Sequence, residues 1–456
     1  MMDSTAPSGR LYEVLTHKPG EIVAIGPRGA IPATRFRRDV AALAAMLPEA
    51  GFLVNLCADR YRFMVGFAAA LLRGQVSLMP SAATPAILRD LTEDYPGLYA
   101  LTDGAAPDLA HLPFPASLPD AEEANLTIPG AQPAVVLFTS GSTGKPKPVT
   151  KSWSVLVHSA RTAGARLGAT AMRGGCIVGT VPHQHSYGLE SVITLAWQHG
   201  LAVSAGAPLF PDDVRAALQA APAPRLLVTT PVHLRILTAD PGEMPALAML
   251  LSATAPLPST LAKAAETTFH APLLEIYGCT EAGQIATRRS TQETDWHCFD
   301  AVRLRRDDTG WWAQGAAVEG VAPVQDEIEL IGDQHFRLGD RSADLVNIAG
   351  KRSSISYLNH QLLAIPGVKD GTFLMEEGLT KEGQMEESET QAVPRLKALV
   401  VAPGLTAAQI LQALRERLDA AFLPRPLVLV EHLPRNNLGK LLRADMLALA
   451  TRRAPE

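Results

Sequence analysis

Residues 139–147 read Thr139-Ser140-Gly141-Ser142-Thr143-Gly144-Lys145-Pro146-Lys147, directly after the apolar run 134–138. Gly141 and Gly144 have no Cβ, so backbone N–H groups there can approach an anionic oxygen closely. Hydroxyls and two lysines add further donors and positive charge. A run of this kind can cradle a polyphosphate. It is not a Walker A loop, which needs G-x-x-x-x-G-K-S/T: Thr139 occupies the first glycine position and Pro146 the hydroxyl position. Pro146 also disfavours a helix starting straight after the lysine. The bland alternative is a Gly/Ser surface turn, and a buried strand immediately before the run argues against it.

This loop resembles the triphosphate-binding loop of the acyl-adenylate-forming ligases, the superfamily of acyl- and aryl-CoA synthetases, luciferases and nonribosomal adenylation domains. Further segments resemble that family's motifs, in the expected order, over roughly residues 130–445. Tyr277-Gly278-Cys279-Thr280-Glu281 is similar to its Y-G-x-T-E segment. The resemblance implies an adenine-facing ring at Tyr277, a donor to the α-phosphate at Thr280, and a magnesium ligand at Glu281 that bridges phosphate oxygens. Gly278 and Cys279 fall within the same nucleotide segment. Upstream, Ser252-Ala253-Thr254-Ala255-Pro256-Leu257 resembles the small-residue turn beside adenine and the acyl pocket, with Ala253 and Thr254 as nucleotide contacts. It departs from the family by lacking glycines.

The family grips both ribose hydroxyls with an aspartate, and two candidates compete for that place. Phe336-Arg337-Leu338-Gly339-Asp340 imitates the motif. The following run, Asp340-Arg341-Ser342-Ala343-Asp344, however, resembles the later hinge segment that ends at Gly350-Lys351-Arg352. In that register the ribose aspartate falls one hairpin earlier, at Asp326, while Arg341 and Arg352 become nucleotide or thiol-carrier contacts. Ala343 stands where the family has its acidic or lysine pivot. Near the C-terminus, Leu433-Pro434-Arg435-Asn436-Asn437-Leu438-Gly439-Lys440 resembles the family's catalytic-lysine segment. Lys440 would neutralise charge that builds on the substrate carboxylate and the α-phosphate during attack.

Pro182-His183-Gln184-His185-Ser186-Tyr187-Gly188 resembles the family's P-x-x-H-x-x-G stretch, which lines the acyl pocket. His185, Tyr187 and Gly188 are the substrate-pocket candidates. A histidine satisfied within the fold is the competing reading for His185. Trp197 and Thr230 are read as further lining positions. Amino-acid-activating relatives carry an aspartate where Ser186-Tyr187 stands, which argues against an amino-acid substrate. The phosphopantetheine-site G-x-D-S-L of a fused carrier domain is absent from the sequence, so the thiol acceptor is expected in trans.

The resemblance therefore implies ATP-dependent activation of a small carboxylic acid, aryl or of medium length, with pyrophosphate released. Transfer to a phosphopantetheine thiol would follow. The implied cofactors are ATP, Mg²⁺, and either coenzyme A or an acyl carrier protein as acceptor. A non-catalytic nucleotide- or acyl-binding protein on the same fold is the alternative from another class. A P-loop NTPase fails on the loop spacing.

These residues need rigid elements behind them. Apolar runs at 51–56, 134–138, 176–181, 226–229 and 273–276, bounded by turn residues, read as buried parallel strands. Helical periodicity at 40–47, 61–72, 154–167 and 214–220 alternates with them, which is the pattern of an α/β fold. Beyond residue 301 the texture changes to hairpins, at Asp307-Asp308-Thr309-Gly310 and Gly332-Asp333-Gln334, and so to a small β-rich subdomain. The tail pairs strands near 372–375 and 396–401 across a polar acidic stretch. A helix at 406–418, capped by Thr406, follows. The expected organisation is a large AMP-binding domain over 1–340 and a small, mobile α+β lid over 341–456.

With 456 residues, 47% hydrophobic and 19% charged, the chain has a globular balance and room for more than one core. A net charge of −5 gives no drive toward nucleic acid. Cys57, Cys176, Cys279 and Cys298 lie far apart and form no C-x-x-C, which fits a reducing compartment. No signal-like segment opens the chain, and the apolar run 65–72 is too short to span a bilayer. A cytoplasmic location is expected.

Overall fold

The computed structural model describes residues 9–80, 83–139, 147–339, 345–348, 351–376, 395–418, 420–435, 441 and 443–451. The chain divides into two compact units, Met1–Val324 with Leu330–Arg337, and Gln325–Glu329 with Leu338–Glu456.

The first unit is built on two large sheets of mainly parallel strands. In one, the order is Lys147–Ser152, Pro133–Thr139, Val76–Met79, Phe52–Asn55, Tyr99–Thr102 and His111–Pro113. The centre of the other runs Ala202–Ser204, Cys176–Gly179, Arg225–Thr229, Met249–Ser252, Leu273–Cys279. Strands such as Met249–Ser252 and Cys176–Gly179 are buried along their whole length. That explains why they read as unbroken apolar runs: helices cover both faces, so no position alternates toward water. Helices Pro211–Ala220, Pro231–Ala239 and Ser259–Phe269 close over the second sheet, and Val214, Leu218, Leu234, Leu237, Ala262 and Phe269 join its core. The expected β-rich piece is a three-stranded antiparallel sheet, Arg303–Asp307, Gly310–Gln314 and Val321–Val324.

Helix Arg60–Leu72 belongs to the first sheet's layer, yet its first residue serves the second. The buried Arg60 guanidinium donates to the carbonyls of Gly179, Val181, Ser204 and Gly206 at 2.6–3.1 Å. Four carbonyls replace the water this cation loses, so it can be buried without a carboxylate partner.

The second unit has its own core. Strands Asp370–Glu376 and Arg395–Val401 pair antiparallel, and Leu427–Leu429 adds in parallel. Leu358 and Leu362 of helix Ile355–Leu363, with Ile410 and Leu414 of helix Ala407–Arg415, pack on Phe373, Ala398 and Val400. Thr406 caps the latter helix with a reciprocal bond to Gln409. The acidic stretch 377–394 lies outside the described residues. Among the described residues no helix is long and apolar enough to cross a membrane.

Candidate active site

Three neighbouring parallel strands, Cys176–Gly179, Arg225–Thr229 and Met249–Ser252, end within a residue of one another, and a fourth, Leu273–Cys279, runs on past them. Thr229 pairs with Ser252, and Ser252 with Glu275 two residues before Tyr277. In open α/β sheets, ligands bind beyond the carboxyl ends of the strands, where the connecting loops diverge. The segments 182–188, 253–257 and 277–281 all leave from these ends. The second sheet therefore brings the 182–188 run, the small-residue turn and the Y-G-C-T-E run to one edge.

The strand Leu273–Cys279 turns back antiparallel onto Gly283–Arg288, with a register shift between Tyr277 and Gly278. Thr280 and Glu281 thus sit at a hairpin tip. Gly278 is required there, because a side chain at that position would strike the Gly283 carbonyl. Tyr277 is 9% exposed, and its ring packs at 5.6 Å from both Trp296 and Phe336, which stack on each other. A ring wedged in this way has a fixed plane. Cys279 is partly buried, and burial pushes its thiol up to about 11. It therefore stays protonated and offers no nucleophile at neutral pH.

Thr254 has φ +80°. A β-branched residue in this left-handed region is a strained conformation that glycine adopts freely. The turn thus keeps a glycine-like backbone without the glycine.

On the acyl side, Tyr187 donates its hydroxyl to the Thr229 carbonyl at 3.2 Å, and burial holds its pKa far above the ordinary tyrosine range. The phenol stays neutral and ties the segment to a strand end. Gly188 is buried, and His185 is half-buried where the following helix begins. The neighbouring His183 is 2% exposed, donates through Nε2 to the Cys57 carbonyl at 2.9 Å, and packs 4.5 Å from Phe63. Burial and the Arg60 charge lower its pKa to about 4. His183 is thus locked into the core.

A family model described as AMP-binding enzyme matches residues 55–303, which is more than half of the chain. The chain belongs to the AMP-binding enzymes. Among its relatives, a 4-coumarate–CoA ligase of Rhodobacter capsulatus is 28% identical over 51% of this chain and 58% of that protein. A 4-coumarate–CoA ligase of Halorhodospira halophila is 30% identical over 66% of this chain and 73% of that protein. The match thus spans under two thirds of the first relative's length and nearly three quarters of the second's. The o-succinylbenzoate CoA synthetase of Bacillus subtilis, solved with the acyl-adenylate OSB-AMP, has a TM-score of 0.78 at 18% identity, covering 98% of this chain and 99% of that one. The same enzyme has been solved with ATP and a magnesium ion, with a TM-score of 0.77 at 19% identity over 94% and 97% of the two chains. At these identities the structural likeness concerns the fold.

In this AMP-binding enzyme Thr139 closes a strand and pairs with Lys147. The two ends of the glycine-rich run therefore face each other across antiparallel strands, and a strand rather than a P-loop helix follows it. Ser140, Gly141, Ser142, Thr143, Gly144 and Lys145 lie outside the described residues, as do Asp340, Arg341 and Lys440. Asp326 is half-buried in the connection after strand Val321–Val324 and belongs to the second unit. Arg352 lies on strand Lys351–Ser354, opposite Asn347.

One lining position needs correction. Trp197 is 0% exposed and packs on Phe67, Phe36 and Trp153, so it is core. Thr230 instead caps helix Pro231–Ala239, its hydroxyl accepting from His233 N–H at 3.4 Å. Two buried charged residues, Lys151 and Glu190, escape motif reading altogether. Lys151 lies on the strand Lys147–Ser152 that follows the glycine-rich run, and Glu190 on a π-helical turn directly after the 182–188 segment.

Proposed function

We propose that this AMP-binding enzyme activates a small carboxylic acid, aryl or of medium length, and passes the acyl group to a phosphopantetheine thiol. The ligase chemistry is ATP-dependent acyl-adenylate formation followed by thioester transfer. A carboxylate oxygen attacks the α-phosphorus of ATP, and the bond to pyrophosphate breaks. The thiol then attacks the acyl carbon, losing its proton, and AMP leaves with the former carboxylate oxygen. The first step converts a poor leaving group into a good one.

The single observation carrying this reading is the convergence of the Tyr277–Glu281 hairpin and the 182–188 segment on one edge of the second sheet, where Gln284 donates to Ser191. One supplies nucleotide-directed groups, the other an acyl-side wall. In this assignment the fixed ring of Tyr277 faces adenine and Thr280 donates to the α-phosphate. Ala253, Thr254, Gly278 and Cys279 bring backbone close to the nucleotide. Glu281 fits a magnesium ion: such an ion needs only one or two carboxylates when substrate phosphates supply other oxygens. Among the described residues no three-residue metal cluster competes with it. The ion's contribution is to draw off phosphate charge as pyrophosphate leaves.

The residues 139–145 are assigned to the β- and γ-phosphates, Asp326 to the ribose, and Arg341 and Arg352 to phosphate or carrier contacts. Lys440 is assigned to the carboxylate and α-phosphate in the first step, on a lid domain taken to begin near residue 341. Swinging that lid between steps would withdraw the lysine and admit the thiol. Coenzyme A is the acceptor favoured by the CoA-ligase relatives, and an acyl carrier protein presents the same thiol.

Carboxylate-dependent pyrophosphate release from Mg·ATP, over a panel of aryl and aliphatic acids with hydroxylamine as trap, tests the proposal. Release and hydroxamate formation with one acid class are expected. ATP binding without release, for every acid and with either acceptor present, would contradict it.

A further inference from the structure

Lys151 is 1% exposed and Glu190 is 2% exposed. Burying an ammonium and a carboxylate is costly unless charge and hydrogen bonds compensate, so such groups persist where they hold a geometry. The partners of these two come from two of the segments that converge on the site and from a helix behind them. Lys151 Nζ donates to the backbone carbonyl of Glu281 at 3.3 Å, which grips the hairpin tip itself. Glu190 Oε1 accepts from the Ser186 hydroxyl at 2.7 Å, in the acyl-side segment, and Oε2 from the Ser159 hydroxyl at 2.8 Å, on helix Trp153–Arg166.

The two charged heads flank one backbone atom. A methyl group placed on Gly283 would lie 3.2 Å from Glu190 Oε2 and 3.3 Å from Lys151 Nζ. Gly283 has φ +82°, a conformation that glycine adopts without strain, and it is the residue where the hairpin returns from Glu281. Next to it, Gln284 donates to the Ser191 hydroxyl at 2.9 Å, one residue beyond Glu190. The hairpin is thus bonded to the acyl-side turn at Gln284 and lies against Glu190 at Gly283.

We infer that Lys151 and Glu190 are positioning residues for adenylation: a buried pair of opposite charges that sets the Thr280–Glu281 turn against the acyl-side segment. Lys151 lies on the strand leaving the phosphate loop, so the same cation ties that strand to the metal-side turn. The Ser186–Glu190 bond on the acyl side and the bond from Lys151 to the Glu281 carbonyl on the nucleotide side meet around Gly283. Neither side chain need touch a substrate. Losing either charge lets the turn shift, and misplacement near 1 Å costs on the order of 100-fold in a well-aligned reaction.

This inference rests on the role proposed for Glu281, and the test separates the two. Full-length wild type, Lys151→Met, Lys151→Arg and Glu190→Gln are compared in three measurements. These are Mg²⁺ dependence of ATP binding by calorimetry, Mg²⁺ dependence of pyrophosphate release, and thioester formation from a supplied acyl-adenylate. Lys151→Met and Glu190→Gln should each lower the adenylation kcat by roughly 10- to 100-fold and raise the Mg²⁺ needed for half-saturation several-fold. Thioester formation should stay within about twofold of wild type, an effect that general destabilisation would not spare. Lys151→Arg keeps the charge and should recover part of the Mg²⁺ response. If Lys151→Met does not fold, Glu190→Gln, which keeps shape, carries the decision. Folded variants with wild-type Mg²⁺ curves would overturn the positioning role. If wild type binds Mg·ATP but releases no pyrophosphate, the ligase reading fails, and the pair is then judged on the Mg²⁺ dependence of binding alone.

Discussion

Arg435 holds Asp370 through a forked pair of hydrogen bonds, Nη2 to Oδ1 at 3.0 Å and Nε to Oδ2 at 3.2 Å. Arg435 also bridges Leu441, so residues 435 and 441, on either side of Lys440 in the sequence, are joined to each other and, through Arg435, to strand Asp370–Glu376. Bidentate arginine–carboxylate pairs fix orientation as well as distance. Asp370→Asn should therefore act as a weaker Lys440→Ala. Lys440→Ala should suppress pyrophosphate release while leaving thioester formation from a supplied acyl-adenylate largely intact. Asp370→Asn should lower the same half-reaction by roughly tenfold, since a misplaced catalytic group loses part of its effective concentration. Equal loss of both half-reactions in Lys440→Ala would contradict a lysine used in one step only.

The two aspartates that compete for the ribose are separated by kinetics. Asp326→Ala should raise the KM for ATP more than Asp340→Ala does. A ribose held by two hydrogen bonds to a charged group loses on the order of 2–3 kcal/mol when that group is removed, which is roughly 30- to 150-fold in affinity. The larger effect at Asp340 would shift the register by one hairpin.

At Thr254 the prediction concerns stability. With φ at +80°, the threonine carries a strain of about 1–3 kcal/mol. Thr254→Gly removes it at the smaller cost of a freer unfolded chain, while Thr254→Ala keeps the Cβ and the strain. Thermal unfolding should rank glycine above alanine by about 1 kcal/mol. Alanine equal to glycine would mean that the turn relaxes.

His17 and His183 set an acid limit. Both are buried with pKa values lowered to about 4, chiefly by desolvation. Their folded values lie below the unfolded value near 6.5, so between those limits the unfolded chain binds more protons. Stability is complete above about pH 6.5 and falls toward pH 4, by up to about 3 kcal/mol per histidine. His183→Gln retains an N–H for the Cys57 carbonyl and should flatten the slope of Tm between pH 6.5 and 4. An unchanged slope would assign the acid loss to other groups.

What the sequence revealed follows from where the chain buries both faces. The run 134–138 is apolar on both sides of its strand and 273–276 is apolar but for the buried Glu275, which pairs with Arg288; they appear as the longer strands Pro133–Thr139 and Leu273–Cys279. Helix 406–418 was legible from its Thr406 cap, although it stops at Arg415. The left-handed turn at Thr254 was not legible, because its usual signature is a glycine. Lys151 and Glu190 were hidden for a related reason. A charged residue ordinarily marks a solvated face, and their burial depends on partners far along the chain, Glu281 among them. Trp197 misled because an aromatic near a pocket motif and an aromatic in a core look the same in one dimension.

In the proposed reaction the acid's own oxygen attacks the α-phosphorus. Turnover of a carboxylate labelled with heavy oxygen, in the presence of Mg·ATP and coenzyme A, followed by mass analysis of the nucleotide product, tests it directly. The account predicts AMP carrying one labelled oxygen and unlabelled pyrophosphate. Unlabelled AMP, or ADP with phosphate in its place, would contradict it.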